Sequence, residues 1–407
     1  MKAACFVVTS PRNSPDAENP ADGQSPPADV QHSATAAVTP TATVPSTTLP
    51  EASIPDADDE DGSSPVSHRK QKLAQWIVTG RLDHCIGSLR RLTGTLIPIL
   101  GYHRIWPLDK ELSFPFDQEL VSATPEEFAW QMQYVREQFH PITFADLLRA
   151  LDGTARLPKR PLIVTFDDGY EDNATIATPI LHRLGMPATF FLATGYINQP
   201  QTFWYDRLAQ LLNTTFASQL QLLSLPDPFP IPAQAKGRRW MLRRLLSHLK
   251  KLPNADRLAE LEQCERQLAD RAENIGPIQS RAMSWSQARE MVHQGMELAS
   301  HAVSHPVLAN CDDKTLRYEL QQSRHEIQQQ TGQPADVISY PVGGPSAFSP
   351  RVVNLAQEAG YRLGVSYIHG MNRWNRFDRF ALRRIHVERY HNRDYFRAML
   401  QLPELFL

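Results

Sequence analysis

Apolar and polar positions follow two regular patterns along the chain from residue 96 onward. Short apolar runs are typical of buried strands, whereas apolar positions that recur every three to four residues are typical of amphipathic helices. The short runs predict strands over residues 96–102, 142–143, 162–166, 188–192, 296–300, 337–339 and 362–366. Because helical segments lie between most of these strands, the pattern predicts repeated β–α units with parallel strands.

Helix starts are predicted where a capping side chain precedes an apolar-periodic segment. The clearest is Thr124, which is followed by a proline, two glutamates and a helical pattern to about Gln138. Three further starts are predicted at Ser284, at Asp312 or Asp313, and at Ser349. Helix ends are predicted at glycines, which adopt left-handed backbone conformations readily: Gly185, Gly295, Gly332 and Gly360.

Residues 196–283 interrupt this rhythm and are predicted to form a helical insertion. The aromatic segment Phe203–Asp206 lies near its start, and a helix is predicted around Arg238–Leu252. Seven basic and no acidic residues lie between Lys236 and Lys251. This charge run is either a solvated helix face or a contact for an anionic polymer or membrane surface.

The N-terminal segments differ in character from the rest. Residues 1–66 contain ten of the 32 prolines and no apolar periodicity, so a disordered tail is predicted because little apolar surface could be buried. Residues 67–94 carry apolar positions at helical spacing among basic residues, which predicts an amphipathic helical segment. That segment either packs on the domain or makes peripheral contact with an anionic membrane surface.

The net charge of −2 conceals an uneven distribution. Residues 1–66 hold ten of the 44 acidic and two of the 42 basic side chains, which leaves 34 acidic and 40 basic side chains in the remainder. A body carrying about +6 lacks the strongly basic character of nucleic-acid-binding proteins, so no nucleic-acid partner is predicted.

Features of export and membrane insertion are not prominent. No run approaches the ~18 apolar residues of a transmembrane helix, and the apolar run 3–8 is shorter than a signal-peptide core of roughly 7–15 residues. The four cysteines form no pattern typical of a disulfide framework or a thiolate zinc site. The sequence therefore favours a cytoplasmic or peripheral-membrane location.

Two adjacent carboxylates directly follow a predicted strand in Thr165-Phe166-Asp167-Asp168-Gly169. At a strand end, where the glycine lets the chain turn, both carboxylates can reach one pocket. Two close carboxylates repel each other, so a nearby cation would stabilise them. The alternative is a plain turn with a helix-capping aspartate.

Two histidines follow another predicted strand in Ser300-His301-Ala302-Val303-Ser304-His305-Pro306. Two histidines and one aspartate form a three-ligand set that leaves an open position, as in catalytic zinc sites. Since both motifs lie at the carboxyl ends of predicted parallel strands, both are expected on the same face of the fold. A third motif, Tyr340-Pro341-Val342-Gly343, also follows a strand and permits close backbone approach to a ligand.

These motifs, in this order, resemble those of the polysaccharide deacetylase family, carbohydrate esterase family four, which has the nodulation-type chitooligosaccharide deacetylase domain. Leu100–Ile105 and Thr189–Phe191 also resemble strands of bacterial members. The similarity covers roughly residues 96–390 and assigns a deacetylase domain to residues 95–395, interrupted by the insertion at 196–283. The resemblance implies a distorted (β/α) barrel of about seven parallel strands.

The resemblance also implies residue roles. Asp168, His301 and His305 would hold one divalent metal ion, usually zinc, and Asp167 would be the general base. The backbone N–H of Val342 would stabilise the oxyanion, with Tyr340 beside it at the substrate.

The sequence departs from the family at Ser339 and Val342, where members often have an arginine and an aromatic residue. The arginine that usually tethers the base is therefore expected to be Arg383 or Arg384. The last motif, Leu382–Val387, suggests His386 as the general acid, with His103 as the competing candidate.

The predicted function is that of a metal-dependent hydrolase that removes N-acetyl groups from amino sugars of a polysaccharide or its precursor. Its partner would be an N-acetylated glycan. Two alternatives stay open: a catalytically inactive barrel that binds sugar, and a metal amidase that acts on a non-sugar amide. The chain contains no Gly-x-Ser-x-Gly motif of serine hydrolases and no phosphate-binding glycine motif.

Overall fold

The computed structural model describes residues 68–79, 95–107, 114, 116–270 and 280–406. The predicted disordered tail lies outside these residues, as does the second half of the predicted amphipathic segment 67–94.

Seven parallel strands close into a barrel, in which each strand pairs with its neighbours in chain order and the last pairs with the first. The strands are β1 (Ile99–Tyr102), β2 (Pro161–Phe166), β3 (Thr189–Leu192), β4 (Glu297–Ser300), β5 (Val337–Ser339), β6 (Leu363–His369) and β7 (Leu382–His386). The prediction of a distorted (β/α) barrel is confirmed. Distortion is visible between β6 and β7, where the pairing register shifts between Val365 and His369.

Side chains alternate between the barrel interior and the surrounding helices, because successive residues of a strand point to opposite faces. One buried cluster unites positions from all seven strands with a helix beneath them, and includes Ile99, Ile163, Phe191, Ala299, Val337, Leu363 and Leu382. Their sequence neighbours, such as Leu100 and Val164, belong to the larger cluster outside the barrel. Burial on both faces explains why the strands appear as continuous apolar runs.

Helices surround the barrel, and four of them begin at the predicted caps. The helices are α1 (His68–Thr79), α2 (Pro125–Gln138), α3 (Phe144–Leu151), α4 (Thr178–Leu184), α5 (Trp204–Thr214), α6 (Ala235–Leu249), α7 (Asn254–Ala269), α8 (Trp285–His293), α9 (Asp313–Thr331), α10 (Pro350–Glu358), α11 (Arg393–Gln401) and α12 (Pro403–Phe406). The side chains of Thr124, Ser284, Asp312 and Ser349 each accept a hydrogen bond from the first turn of the helix that follows.

Minor strands differ from the prediction in place and extent. The predicted strand 96–102 is divided at Pro98, and its first part, Leu96–Ile97, pairs antiparallel with Asn372–Arg373. The predicted strand 142–143 is instead His140–Pro141, which pairs with the beginning of β2. Arg104–Ile105 pairs with Val121–Ala123. A proline has no backbone donor, which is why it interrupts a strand.

Helices α5, α6 and α7 form the insertion, together with a short antiparallel pair, Gln219–Leu220 and Phe229–Pro230. Several basic residues of α6 are engaged within the molecule. Arg238 donates to the backbone carbonyls of Pro232, Leu212 and Thr215. Arg243 pairs with Glu119, and Arg244 stacks over Trp240.

Helix α1 packs against α11, with Ala74 and Ile77 buried. Lys70 Nζ donates to the backbone carbonyl of Phe406 at 3.2 Å. Leu73 and Trp76 of the same helix are exposed. Among the helices of the described residues, none combines the length and hydropathy that crossing a bilayer requires.

Candidate metal centre at the mouth of the barrel

The two adjacent carboxylates lie where β2 ends. Asp168 has a left-handed backbone conformation (φ 75°), as does Gly169 (φ 87°). A Cβ at Gly169 would lie 2.9 Å from Leu192 Cδ2, so this turn requires glycine. The turn brings the side chains of both Asp167 and Asp168 to the same histidine, His301, although they are neighbours in sequence.

The two histidines follow β4 in a tight loop and meet Asp168. His305 Nε2 lies 3.2 Å from Asp168 Oδ1, and His301 Nε2 lies 3.5 Å from the same oxygen. One ligand atom from each of the three residues lies within 4.8 Å of the other two. The three side chains are buried at the carboxyl end of the barrel, where sites collect in this kind of fold.

The loop between the two histidines is strained and is held by a carboxylate. Ala302 and His305 both have left-handed backbone conformations, with φ of 62° and 55°. Glu319 of α9 accepts hydrogen bonds from the backbone N–H groups of Val303 (2.7 Å) and Ser304 (2.9 Å), and from the Ser304 hydroxyl. Such strain persists only where surrounding contacts determine the conformation, and Glu319 supplies them.

His301 is oriented by a hydrogen bond from its far ring nitrogen. Nδ1 lies 2.7 Å from the backbone carbonyl of Ser339, which accepts the proton of Nδ1 and leaves Nε2 as an unprotonated ligand atom. Burial lowers the pKa of His301 to about 4, so the ring is neutral at physiological pH. A neutral imidazole whose other nitrogen is hydrogen-bonded is the usual state of a metal-binding histidine.

The three residues fit a divalent metal ion. Asp168 Oδ1 and His305 Nδ1 are buried, and neither accepts or donates a hydrogen bond within the described part of the chain. Burial alone would raise the pKa of Asp168, but His305, His103 and His301 outweigh it and hold that pKa well below its usual value. An ionised, buried carboxylate oxygen that faces two imidazole nitrogens is suited to a cation.

Asp167 is held by a buried arginine of β7, which is separated from β2 in the barrel only by β1. Arg384 Nη1 and Nη2 donate to the two carboxylate oxygens of Asp167 at 2.7 and 2.8 Å. The guanidinium also donates to Ser339 Oγ (3.1 Å) and to the backbone carbonyl of Ser366 (2.9 Å). Burial alone would raise the pKa of Asp167, but Arg384 and then His301 lower it below its usual value. Of the two arginines that the sequence offered, Arg383 is exposed.

Tyr340 and Val342 occupy the loop after β5. The Tyr340 hydroxyl donates to the backbone carbonyl of Phe380 (3.1 Å), and its ring stacks on Phe348 at 4.6 Å, so the side chain is engaged in packing. Val342 has φ of 66°. Its backbone N–H makes no hydrogen bond with any other described residue.

Two histidines flank Tyr367 near the site. The His386 ring stacks on Tyr367 at 3.7 Å, and His386 Nε2 donates to the Tyr367 backbone carbonyl at 3.1 Å. Burial lowers the pKa of His386 to about 3, with further contributions from His369 and Arg384. The His103 ring meets the edge of Tyr367 at 5.3 Å.

The sequence did not identify the aromatic wall of the site. Trp204 Nε1 donates to the backbone carbonyl of His305 at 3.4 Å, and the Tyr205 ring lies 5.2 Å from the His305 ring. Both residues belong to the insertion, whose aromatic start was visible in the sequence without an assigned place. Tyr367 was also missed, because a single tyrosine in a strand gives no distinctive pattern.

The residues of this site lie within a region of the chain that matches a known protein family. The model of the family described as polysaccharide deacetylase matches residues 154–364, which is just over half of the chain. The chain belongs to the polysaccharide deacetylase family. The matched range includes both carboxylates, both histidines and the loop after β5.

Individual relatives are more distant. The poly-beta-1,6-N-acetyl-D-glucosamine N-deacetylase of Escherichia coli (strain K12) is 34% identical over 81 residues, which is 20% of this chain and only 12% of that protein. The structure of Streptococcus pyogenes deacetylase PplD in complex with acetate aligns with a TM-score of 0.50 and 19% identity, covering 74% of this chain and 96% of PplD. This second likeness concerns the fold alone.

The Arg384–Asp167 pair yields a stability prediction for this deacetylase-family barrel. Replacing Arg384 with Met leaves a buried carboxylate without its cation, which costs about 3–5 kcal/mol. We expect urea denaturation at pH 7 to show a loss of this size. Arg383→Met, at the exposed neighbour, is the matched control and should change the free energy of unfolding little.

The loss in the free energy of unfolding caused by Arg384→Met should also depend on pH. The folded pKa of Asp167 is depressed, so its stabilising effect is present above the unfolded pKa of about 3.9 and is lost as pH falls through the folded pKa. In Arg384→Met the carboxyl pKa rises and protonation relieves the buried charge. The difference between the two proteins should therefore shrink as pH falls from 7 toward 4. A difference that is constant over this range would contradict the pairing.

Proposed function

We propose that this protein is a metal-dependent hydrolase that removes N-acetyl groups from amino sugars of a glycan. The observation that carries the proposal is the convergence of Asp168, His301 and His305 on one point beside a second ionised carboxylate, Asp167. A three-residue ligand set with an adjacent base is the arrangement that hydrolytic metal centres use. Membership of the polysaccharide deacetylase family supports this reading.

Asp168, His301 and His305 would hold the metal, for which zinc is the leading candidate. When bound, such an ion polarises the amide carbonyl and makes water easier to deprotonate. Asp167 then accepts the proton of the attacking water at a carboxylate oxygen. Arg384 fixes the orientation of that carboxylate and keeps it ionised in a buried setting.

The loop after β5 supplies a donor for the negative charge that develops on the carbonyl oxygen. Val342 offers a backbone N–H that is not used elsewhere among the described residues. Backbone donors of this kind stabilise tetrahedral oxyanions because they are already oriented. The left-handed conformation at Val342 fixes the direction of this N–H.

The leaving amine requires a proton, and the surroundings of the two candidate histidines differ. His386 donates its Nε2 proton to the Tyr367 carbonyl and is neutral, with a pKa of about 3. His103 interacts electrostatically with both Asp167 and Asp168. These differences support His103 as the acid and His386 as a residue that positions Tyr367, whereas the sequence favoured His386 as the acid.

The substrate class follows from the same family likeness. The E. coli relative is by its name a deacetylase of poly-beta-1,6-N-acetyl-D-glucosamine, which supports an N-acetylglucosamine-containing glycan here. An inactive sugar-binding barrel is disfavoured because the ligand set and the tethered Asp167 are all present. A metal amidase that acts on a non-sugar amide would use the same residues, so only its substrate distinguishes it from the proposed deacetylase.

A substrate panel tests the proposed function. The full chain, loaded with zinc, should release free amine and acetate from N-acetylglucosamine oligomers and should lose that activity when a chelator removes the metal. Restoring zinc should restore activity. If simple acetamides are hydrolysed while every N-acetylated glycan is left intact, the protein is an amidase of another class. Metal binding without turnover of either would indicate a sugar-binding barrel.

Replacing Asp167 and Asp168 separately with Asn should impair the protein in different ways. Asp168→Asn removes a ligand charge, so zinc affinity should fall and excess zinc should recover part of the activity. Asp167→Asn removes the base, so kcat should fall roughly 10²–10⁴-fold while zinc still binds. A zinc titration of each variant distinguishes the two. Full activity of zinc-loaded Asp167→Asn would show that the base is another residue.

His103→Ala and His386→Ala distinguish the two candidates for the general acid. Loss of the acid should lower kcat about 10²–10⁴-fold and remove the alkaline limb of the pH–rate profile. We expect this result for His103→Ala. His386→Ala should lower activity less and leave the shape of the profile unchanged. The opposite pattern would assign the acid to His386.

A further inference from the structure

Asp206 is a fully buried carboxylate on the first helix of the insertion, α5. Its Oδ2 accepts hydrogen bonds from the Tyr170 hydroxyl at 3.0 Å and from the Ser280 hydroxyl at 2.6 Å. Tyr170 is the second residue after Asp168. The first helix of the insertion and the end of the insertion therefore meet at the Asp206 carboxylate. This carboxylate is hydrogen-bonded to the loop that carries Asp168, a metal-ligand candidate.

The exit of the insertion also pairs with that loop through the backbone. Tyr170 forms an isolated antiparallel bridge with Ala282. The backbone N–H of Met283 donates to the Gly169 carbonyl, and that of Glu171 donates to the Arg281 carbonyl, both at 2.9 Å. The segment that carries the left-handed Asp168 is thus fixed from one side by the insertion.

A buried cation completes the network. Arg104 donates to Asp172 Oδ2 at 2.9 Å and to the Ser280 hydroxyl at 3.0 Å, and its Nη1 lies 4.0 Å from Asp206 Oδ2. Its guanidinium also covers the Tyr170 ring at 4.3 Å. Arg104 directly follows His103, so the same network reaches the strand end that carries the candidate acid. Burial raises the pKa of Asp206 to about 6, against the opposing effect of Arg104.

The helix that carries Asp206 contacts a second ligand candidate directly. Trp204 bonds to the backbone carbonyl of His305, and the Tyr205 ring packs beside the His305 ring. Three consecutive residues of the insertion therefore touch His305 or the loop of Asp168. These contacts explain why the carboxylate of Asp206 is buried near the start of α5.

We propose that Asp206 is a positioning residue that, through Tyr170, holds the Asp168 loop in its metal-binding conformation, so that the insertion is part of the active site. This inference rests on the proposed function, because it assumes that Asp168, His301 and His305 bind a metal. Partners that orient metal ligands from outside the ligand set typically contribute about 10–100-fold to metal affinity. The strained φ of Asp168 makes such support necessary.

The test is the zinc affinity of the full-length protein and of three variants, measured by competition with a chromogenic chelator. Tyr170→Phe removes only the hydroxyl that reaches Asp206, and Asp206→Ala removes its acceptor. Each should weaken zinc binding by about 10-fold or more. The double variant should be no weaker than the worse single variant, because both changes break the same contact.

Glu260→Gln is the matched control. Glu260 is also a buried carboxylate of the insertion, but it accepts from the backbone N–H groups of Leu223 and Ser224, within the insertion itself. Its substitution should lower the free energy of unfolding and leave zinc affinity unchanged. A purely structural role of Asp206 would give the same result as Glu260→Gln.

The outcomes separate the inference from the proposed function. If the wild-type protein does not bind zinc, the proposed function fails and the inference with it. If the wild type binds zinc and folded Tyr170→Phe and Asp206→Ala bind it equally well, the inference alone is overturned. If Asp206→Ala does not fold, Tyr170→Phe decides by itself. Fully additive effects in the double variant would also overturn the proposed path through Tyr170.

Discussion

The ion pair between Asp167 and Arg384 is the interaction on which the mouth of the barrel depends. Both groups are buried, and the guanidinium satisfies both carboxylate oxygens. A buried charge is tolerated only when it is paired and hydrogen-bonded. Ser339 joins this pair to the ligand set, since its hydroxyl accepts from Arg384 while its carbonyl accepts from His301. Asp167 and one metal-ligand candidate are therefore oriented by one residue of β5.

Four of the eight described non-glycine residues with positive φ lie in the loops around this pair. Asp168, Ala302, His305 and Val342 all adopt left-handed conformations that non-glycine residues rarely take. Each lies in a loop at the carboxyl end of a strand, and each loop is held by specific contacts, such as the Glu319 carboxylate beneath the histidine loop. The rigid barrel supplies the stability that these loops require, and the loops supply the directions in which the functional groups point.

The strand pattern predicted parallel β–α units, and the family resemblance implied the barrel and the set Asp168, His301 and His305, because the motifs that carry that resemblance are local in sequence. The choice between Arg383 and Arg384 was not local. Interior positions of β7 alternate with exterior ones, so Arg384 shares the inward face with Leu382, but β7 itself was not predicted as a strand. The contacts of Trp204, Tyr205 and Asp206 could not be predicted at all, since they depend on how the 88-residue insertion 196–283 packs against the site.

The closure of the barrel by β1 and β7 determines when the site can form during synthesis of the chain. His386 lies opposite Gly101, and Arg384 reaches Asp167 from a strand that is some 215 residues later in the chain. During synthesis, β2 and both of its carboxylates emerge long before their arginine does. Asp167 can be buried at low cost only after the last strand has left the ribosome and closed the cylinder. The order of translation therefore places completion of the candidate metal centre well after synthesis of the first β–α units.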